Sequence, residues 1–457
     1  MDPLLYLGAL EVLFLVWIKG KGLEYVIMHQ RWIFVCIFLL PSSVISDVRA
    51  WIIFKMCSAT SESEIFRTAK LRVECFHMLS NIFQVVRVEP LANMGQVTAL
   101  LNSIGWTLPV LPELDDLTVG GLVMGTGIES SSHIYGLFQH ICAAFELVLA
   151  DGSLDRCTEK ENSDLFYAVL WSCGTLGFLV AADIRIIPAQ KWVKLCYEPV
   201  CGLDAICEKF AEESANKENQ FVEGLQYSQD EAVIMTGTMT DHAETDKTNC
   251  IVAVEYIPLR HYYHRHTRSI FWELQVLTSF KDIIPFGNNP LFRYVFGWMV
   301  PPQISLLKLT QGETIRKLYE QHHVVQDMLV PMKRIKTSLL RFNEDIYVYP
   351  LWLCPFMLPN QPGMVHPKGD EDELYVDIGA YGELKVKHFD ARSSTRQLEN
   401  FVRDVNGFQM LYADLYMERQ EFWEMFDGTL YHKLRKQLNC EDAFPEVYDK
   451  ICKSATH

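Results

Sequence analysis

Between Leu111 and Gly136 the chain reads LPELDDLTVGGLVMGTGIESSSHIYG. Gly120, Gly121, Gly125, Gly127 and Gly136 stand close together, with Thr118, Thr126 and Ser130 to Ser132 among them. Glycine tolerates positive φ and lets a backbone come close to a ligand, while free amides and small hydroxyls are the groups that suit a pyrophosphate. A P-loop is excluded, because no Gly-Lys-Ser/Thr follows, and no Gly-x-Gly-x-x-Gly opens a helix here. By itself the stretch could equally be a glycine-rich connector between strands.

Other chemistry finds little support. Gly-x-Ser-x-Gly is absent, and no Ser-His-Asp or Cys-His constellation stands out. The run Arg260-His-Tyr-Tyr-His-Arg-His266 is the most conspicuous charged cluster. Its histidines do not gather on one face of a helix or strand, and no Cys or carboxylate completes a set, so no metal site is expected. Arg260, Arg265 and Arg268 could face a phosphate or a carboxylate; a solvated helix is the plainer account.

The elements that would position the glycines follow in sequence. Val85 to Glu89 alternates as a strand, and Leu91 to Ile104 carries apolar residues at helical spacing and stops at Gly105. Glu146 to Gly152 reads as a strand ending in an Asp-Gly turn, Glu161 to Val169 as a capped helix start, and Ala182 to Ile187 as a further strand, with Gly174-Thr-Leu-Gly177 between the last two. After Pro188 the pattern changes: a strand over Lys191 to Pro199, a helix over Leu203 to Ala215, two short strands within Phe221 to Met239 and a polar turn over 242–249. Further on, Glu373 to Gly379 reads as a half-buried strand and Arg392 to Gly407 as a helix.

With 457 residues the chain can bury two or three cores, and its net charge of −16 argues against nucleic acid as a partner. Thirteen scattered cysteines, without a C-x-x-C pair, fit free thiols in a reducing compartment. Residues 1–56 contain three apolar runs, which point to a membrane anchor that contacts lipid. Pro285 to Pro302 is rich in large aromatics that could be core, pocket wall or membrane contact.

The order Thr-x-Gly-Gly, Gly-Thr-Gly, Tyr-Gly, Asp-Gly, Asp-Leu-Phe, Gly-Thr-Leu-Gly resembles the second half of the FAD-binding domain of vanillyl-alcohol-oxidase-like flavoproteins. Within that superfamily the wording of residues 110–140, with FVEGLQYS, IIPFGNNP, FGWMVPP and GFQMLYAD further on, is similar to the delta(24)-sterol reductase family. The resemblance implies an α+β protein in three parts. These are an N-terminal membrane anchor over 1–56, a two-subdomain FAD-binding domain of PCMH type over 57–187, and an α+β substrate domain over 188–457 whose C-terminal segment returns to the flavin. It implies non-covalent FAD, NADPH as reductant, a desmosterol-like sterol reduced at its side-chain double bond, and placement on the endoplasmic reticulum membrane, or the Golgi, facing the cytosol. FAD contacts are expected at Thr118, Gly120, Gly121, Gly125, Thr126, Gly127, Ser130, Ser131, Gly174, Thr175 and Gly177. Reducing an unpolarised double bond also requires a proton donor, for which Tyr412, Asp414 and His432 are the candidates.

One departure cuts against this. From Leu23 through Met94 there is no glycine, so the first half of the FAD domain, which should hold the pyrophosphate, is shortened. The stretch between Asp241 and Glu255 is also short for the family. A flavin-free variant that binds sterol or a partner without catalysis is therefore the alternative expectation, and an oxygen-using oxidase of the same fold a weaker third.

Overall fold

The computed structural model describes residues 84–243, 253–265, 323–383 and 391–452. The expected anchor over 1–56, the Pro285 to Pro302 segment and most of the expected turn over 242–249 lie outside these residues, as does Arg268. The chain divides into two units, residues 1–64 with 268–324 and residues 65–267 with 325–457. The architecture that follows is built almost wholly from the second. Among the described residues no helix is long and apolar enough to cross a membrane, and the described cysteines are all free thiols.

The first domain runs β1 (Val85–Val88), α1 (Met94–Ser103), β2 (Trp106–Thr107), α2 (Val119–Met124), α3 (Ser132–Tyr135), β3 (Cys142–Val148), β4 (Leu154–Thr158), α4 (Ser163–Val169), β5 (Phe178–Arg185) and β6 (Ile187–Pro188). Four strands form an antiparallel sheet in the order β1-β5-β3-β4, and β2 pairs with β6. Val86 and Val88 are fully buried on one face of β1. On the other face Arg87, Arg156, Glu146 and Asp183, one from each strand, join in a single ion-pair network. Alternation with a period of two puts valines and charges on opposite faces.

Helix α1 starts later than its apolar spacing suggests. Asn93 and Gln96 close a capping box, each side chain accepting the other's backbone N–H, so Leu91 is left outside at 66% exposed. Its end falls where expected, at Ile104 before Gly105 with φ +81°. Helix α4 lacks the cap its sequence suggests: Asn162 is left-handed at φ 49°, and its amide donates to the Arg156 carbonyl instead.

The second domain runs β7 (Trp192–Cys201), α5 (Leu203–Ala215), β8 (Phe221–Ser228), β9 (Glu231–Thr240), β10 (Ala253–Pro258), α6 (Leu259–Tyr263), β11 (His323–Pro331), α7 (Ile335–Asp345), β12 (Leu351–Leu358), β13 (Glu373–Glu383), α8 (Ala391–Asp404), β14 (Phe408–Gln409), α9 (Arg419–Met425), α10 (Thr429–Gln437) and α11 (Val447–Ile451). One sheet takes its strands in the order β10-β7-β9-β8-β12-β13-β11-β14. Its two faces differ in kind. Gly224, Leu353 and Ile378 stand side by side across β8, β12 and β13, and the Phe210 ring of α5 presses on Gly224, where an added Cβ would lie 3.3 Å from it. Burying Phe210 and Leu353 contributes about 1.5–3 kcal/mol each. The alternate residues Glu223, Trp352, Cys354, Asp377, Gly379 and Tyr381 therefore belong to the opposite, polar face.

The C-terminal helices return to the first domain. The Tyr431 hydroxyl lies 2.6 Å from Thr175 Oγ1 and accepts from Val447 N–H, while the buried Arg435 guanidinium donates to the carbonyls of Thr175, Phe444 and Pro445.

Two adjacent glycines give a test. An alanine Cβ at Gly120 would lie 2.8 Å from Pro90 Cβ, which cannot give way, whereas at Gly121 it meets only Thr118 Oγ1 at 3.3 Å. Gly120→Ala is expected to lose about 1–3 kcal/mol and Gly121→Ala to stay within about 1 kcal/mol of the parent, read as thermal unfolding midpoints.

Candidate functional site

Most of the glycine-rich stretch is occupied with its own packing. Thr118 caps α2, its hydroxyl accepting from Gly121 N–H at 3.3 Å, while Val119 and Gly120 donate to the carbonyls of Ala92 and Pro90. Gly127 is wedged so that a Cβ would lie 2.7 Å from Leu122 and 2.8 Å from Pro112. The hydroxyls are engaged as well: Thr126 with Gln139, Ser130 with Tyr262 at 3.0 Å, Ser131 with the Pro109 carbonyl at 2.7 Å, and Thr175 with Tyr431. Gly121 is exposed, Gly125 and Gly174 are half-buried, and Gly177 is pressed against the Val148 carbonyl. The expected contact residues do come together, since Cys173 N–H donates to the Met124 carbonyl at 2.8 Å and joins the Gly174–Gly177 loop to the end of α2.

From this loop a buried polar seam runs onto the polar face of the large sheet. Val222 N–H donates to Ser130 O at 2.8 Å, anchoring the loop to β8. Arg265, just after α6, donates to Glu129 at 3.1 Å and Glu223 at 2.8 Å, and both carboxylates are almost fully buried. Its guanidinium also lies 4.2 Å from the Tyr262 ring centre. Trp352 Nε1 donates to the second Glu223 oxygen. Beyond it lie Asp377, opposite Cys354, and Asp327, which accepts a hydrogen bond from the Tyr381 hydroxyl. Asp327 and Asp377 have no exposed surface. Among the described residues neither oxygen of Asp377 has a hydrogen-bond partner, nor do Asp327 Oδ2 and Glu129 Oε2.

Burial without enough cations drives these acids towards their neutral forms. Desolvation, then the Glu129 charge, push Glu113 up to about 8. Desolvation raises Asp327 to about 6 against the pull of Tyr381, and raises Asp377 well above the carboxylate range, with Asp327 and Glu113 adding to the effect. Glu129 is raised by burial even though Arg265 opposes it.

The proton-donor candidates separate. Tyr412 stands at the Asp327 end of the seam. Asp414 is exposed two residues on, its backbone carbonyl accepting from Gln326 and Gln409. His432 lies elsewhere, on α10 against the Trp423 ring and 3.6 Å from Glu446, where desolvation and then nearby cations lower its pKa. Over its described residues, 260–265, the charged run is not a solvated helix: Tyr262 and Tyr263 are buried and His264 contacts Asp115 at 2.7 Å, because α6 packs into the first domain. Arg265 does face carboxylates.

Asp327, Asp377, Glu223, Glu129, Glu113 and Tyr381 were not singled out by residue type or spacing. A signal for some of them exists in hindsight, since QDMLVPM, YVDIGAY and FVEGL each place an acid inside an apolar strand. Burying a charge there is costly unless it serves a site.

Comparison with known proteins agrees with this geometry. Residues 76–158 match the FAD binding domain family. The chain is 64% identical to the delta(24)-sterol reductases of Rattus norvegicus and Homo sapiens, with the whole of both chains covered. It is 41% identical to a delta(24)-sterol reductase homolog of Caenorhabditis elegans over 95% of this chain and 97% of that one. The rat alignment has 522 positions against 457 residues here, so about 65 positions of the relative have no counterpart.

The raised Asp327 pKa carries a stability cost with a defined sign. The folded value of about 6 exceeds the ordinary 3.8, so the penalty is present above pH 6 and relieved as pH falls towards 3.8. Asp327→Asn is expected to stabilise the fold at pH 8 by up to about 3 kcal/mol and by clearly less at pH 5, measured by chemical unfolding at both values.

Proposed function

We propose, for a chain that belongs to the delta(24)-sterol reductase family, that this oxidoreductase reduces the side-chain double bond of desmosterol-like sterols with FAD as cofactor and NADPH as reductant. Full-length identity of 64% to curated delta(24)-sterol reductases carries the reading. Residues 1–56 would anchor the protein in the endoplasmic reticulum or Golgi membrane with the rest facing the cytosol, close to an apolar substrate.

The residues present fit a flavin in one specific respect. The seam next to the Gly125–Ser131 loop holds fully buried carboxyl oxygens without partners among the described residues, in Asp327 and Asp377. A flavin ring edge, with its N–H donor and carbonyl acceptors, suits groups of this kind, because a buried polar atom is costly to leave unpaired. With the Thr and Ser hydroxyls and the amides of Gly121, Gly125 and Thr175 engaged internally, the half-buried backbone at Gly174 would face the phosphate and ribityl portion. When bound, reduced flavin supplies a hydride. The chain would contribute the rest: the sheet's polar face orienting the reacting double bond, the packed loop and aromatic residues excluding water, and an acid among Tyr412, Asp414 and His432 supplying the proton.

A second reading keeps support from one observation. About 65 positions of the relatives are missing, and no glycine occurs between Leu23 and Met94. A shortened chain of this kind could bind sterol or a partner without flavin.

Absorption spectroscopy of the detergent-purified protein separates the two. The expected result is flavin at about one per chain, released intact by denaturation, with NADPH-dependent loss of desmosterol in the reductase assay. A folded protein that carries no flavin and takes up none when FAD is added establishes the second reading instead.

A further inference from the structure

We propose that Tyr431, Arg435 and Lys450 are positioning residues for the cofactor: from the C-terminal helices they hold the Trp171–Gly177 loop in a strained shape that frees the Gly174 amide for a phosphate oxygen of a flavin dinucleotide. The assignment deepens the sterol-reductase reading and rests on it.

The loop does not take this shape on its own account. Trp171, Cys173 and Gly174 have φ of +67°, +50° and +75°. Left-handed backbone is costly at the first two, which carry a Cβ, and it persists only where the surroundings impose it. Within the loop, Ser172 Oγ donates to the Val169 carbonyl and Thr175 Oγ1 to the Ser172 carbonyl, each at 2.7 Å. The remaining ties come from α10, α11 and the turn between them. Because the Thr175 proton is used on Ser172, the Tyr431 hydroxyl donates to Thr175 Oγ1 while accepting from Val447 N–H. Arg435 Nη1 donates to the Thr175 carbonyl at 2.8 Å, Cys440 Sγ lies 3.5 Å from the Leu176 carbonyl, and Lys450 Nζ donates to the Cys173 carbonyl at 2.6 Å.

The carbonyls on either side of Gly174, those of Cys173 and Thr175, are thus each bound by a cation from the C-terminal segment. Charge-assisted bonds of this kind are the stronger ones. Peptide planarity gives the Lys450 bond its consequence. The Cys173 carbonyl and the Gly174 N–H belong to one trans peptide and point in opposite directions, so fixing the carbonyl aims the amide. Gly174 is half-buried, and its amide has no backbone partner among the described residues. An added Cβ there would meet nothing nearer than Lys450 Nζ at 3.7 Å, so a positive charge flanks the free amide and the space beside it is open. A donor and a cation together suit an anionic oxygen. Lys433 provides a contrast on the same helix: it pairs with Asp164 of α4 at 2.6 Å and does not touch the loop.

The test uses the full-length protein, stripped of flavin and titrated with FAD by flavin fluorescence, with thermal unfolding of the flavin-free forms alongside. Lys450→Met replaces an exposed side chain, and Tyr431→Phe keeps the ring stacked on Trp423. Each should weaken FAD binding by about 10-fold or more. Their flavin-free unfolding midpoints should stay within about 5 °C of the parent. Arg435→Lys, which keeps the charge but cannot span the carbonyls of Thr175, Phe444 and Pro445, should weaken FAD at least as much if it folds. Lys433→Ala should bind FAD as the parent does. Amide hydrogen exchange over 171–177 in the flavin-free protein should quicken in Lys450→Met and Tyr431→Phe and not in Lys433→Ala. Parent-level FAD affinity in both Lys450→Met and Tyr431→Phe overturns the assignment and leaves the reductase reading standing. Equal weakening in Lys433→Ala overturns it as well, because docking of α10 alone would then be what the cofactor needs. A parent that takes up no FAD fails the reductase reading, and unchanged exchange of the loop in the variants would then overturn the clamp itself.

Discussion

One guanidinium placed between two buried carboxylates is the contact on which the rest of the site depends. Arg265 reaches Glu129 on the glycine-rich loop and Glu223 on the large sheet at 3.1 and 2.8 Å. Removing one partner from such a buried set costs about 3–5 kcal/mol, because the remaining charges are left in a medium that cannot solvate them. The bridge therefore fixes where the loop meets the sheet. It neutralises only part of the acid, however, and the excess lies further along, at Glu113, Asp377 and Asp327. Their raised pKa values follow from that imbalance: with too few cations, the cheaper way to bury an acid is to keep its proton on.

The same shortage leaves a seam of neutral or readily protonated acids that runs from the glycine-rich loop to Asp327. Groups with perturbed pKa values and specific charge partners cluster where proteins do chemistry. The apolar face of the same sheet, with the Phe210 ring of α5 pressed on Gly224, supplies burial that opposes the stability cost of a carboxyl such as Asp327. The glycine-rich loop shows a similar division. Its glycines mainly allow close approach to Pro90, Pro112 and Leu122. Its hydroxyls tie it to Tyr262, Gln139 and the Pro109 carbonyl.

The sequence by itself determined the elements and much of their order. Period-two alternation fixed β1 and β13 to within a few residues, helical spacing and a glycine stop fixed the end of α1, and α5 falls on the residues its pattern predicts, because these signals depend on near neighbours. Motif order gave the flavoprotein family, and the grouping of residues 118–131 with 174–177 came with it. The cap of α4 was misread, since Asn162 found a better partner in the Arg156 carbonyl on another element. What only the tertiary structure decided is the chemistry of the seam. Asp327, Asp377, Glu223 and Arg265 lie far apart in the chain, and nothing local marks them as companions. Strand pairing brings Asp377 opposite Cys354, the turn after β14 sets Tyr412 over Asp327, and α6 carries Arg265 to Glu129. Tyr412, Asp414 and His432 looked alike as candidates until folding put one beside the buried acids, one in solvent and one against Trp423. Desolvation sets their acidity, and desolvation belongs to the packed structure, not to any stretch of the chain.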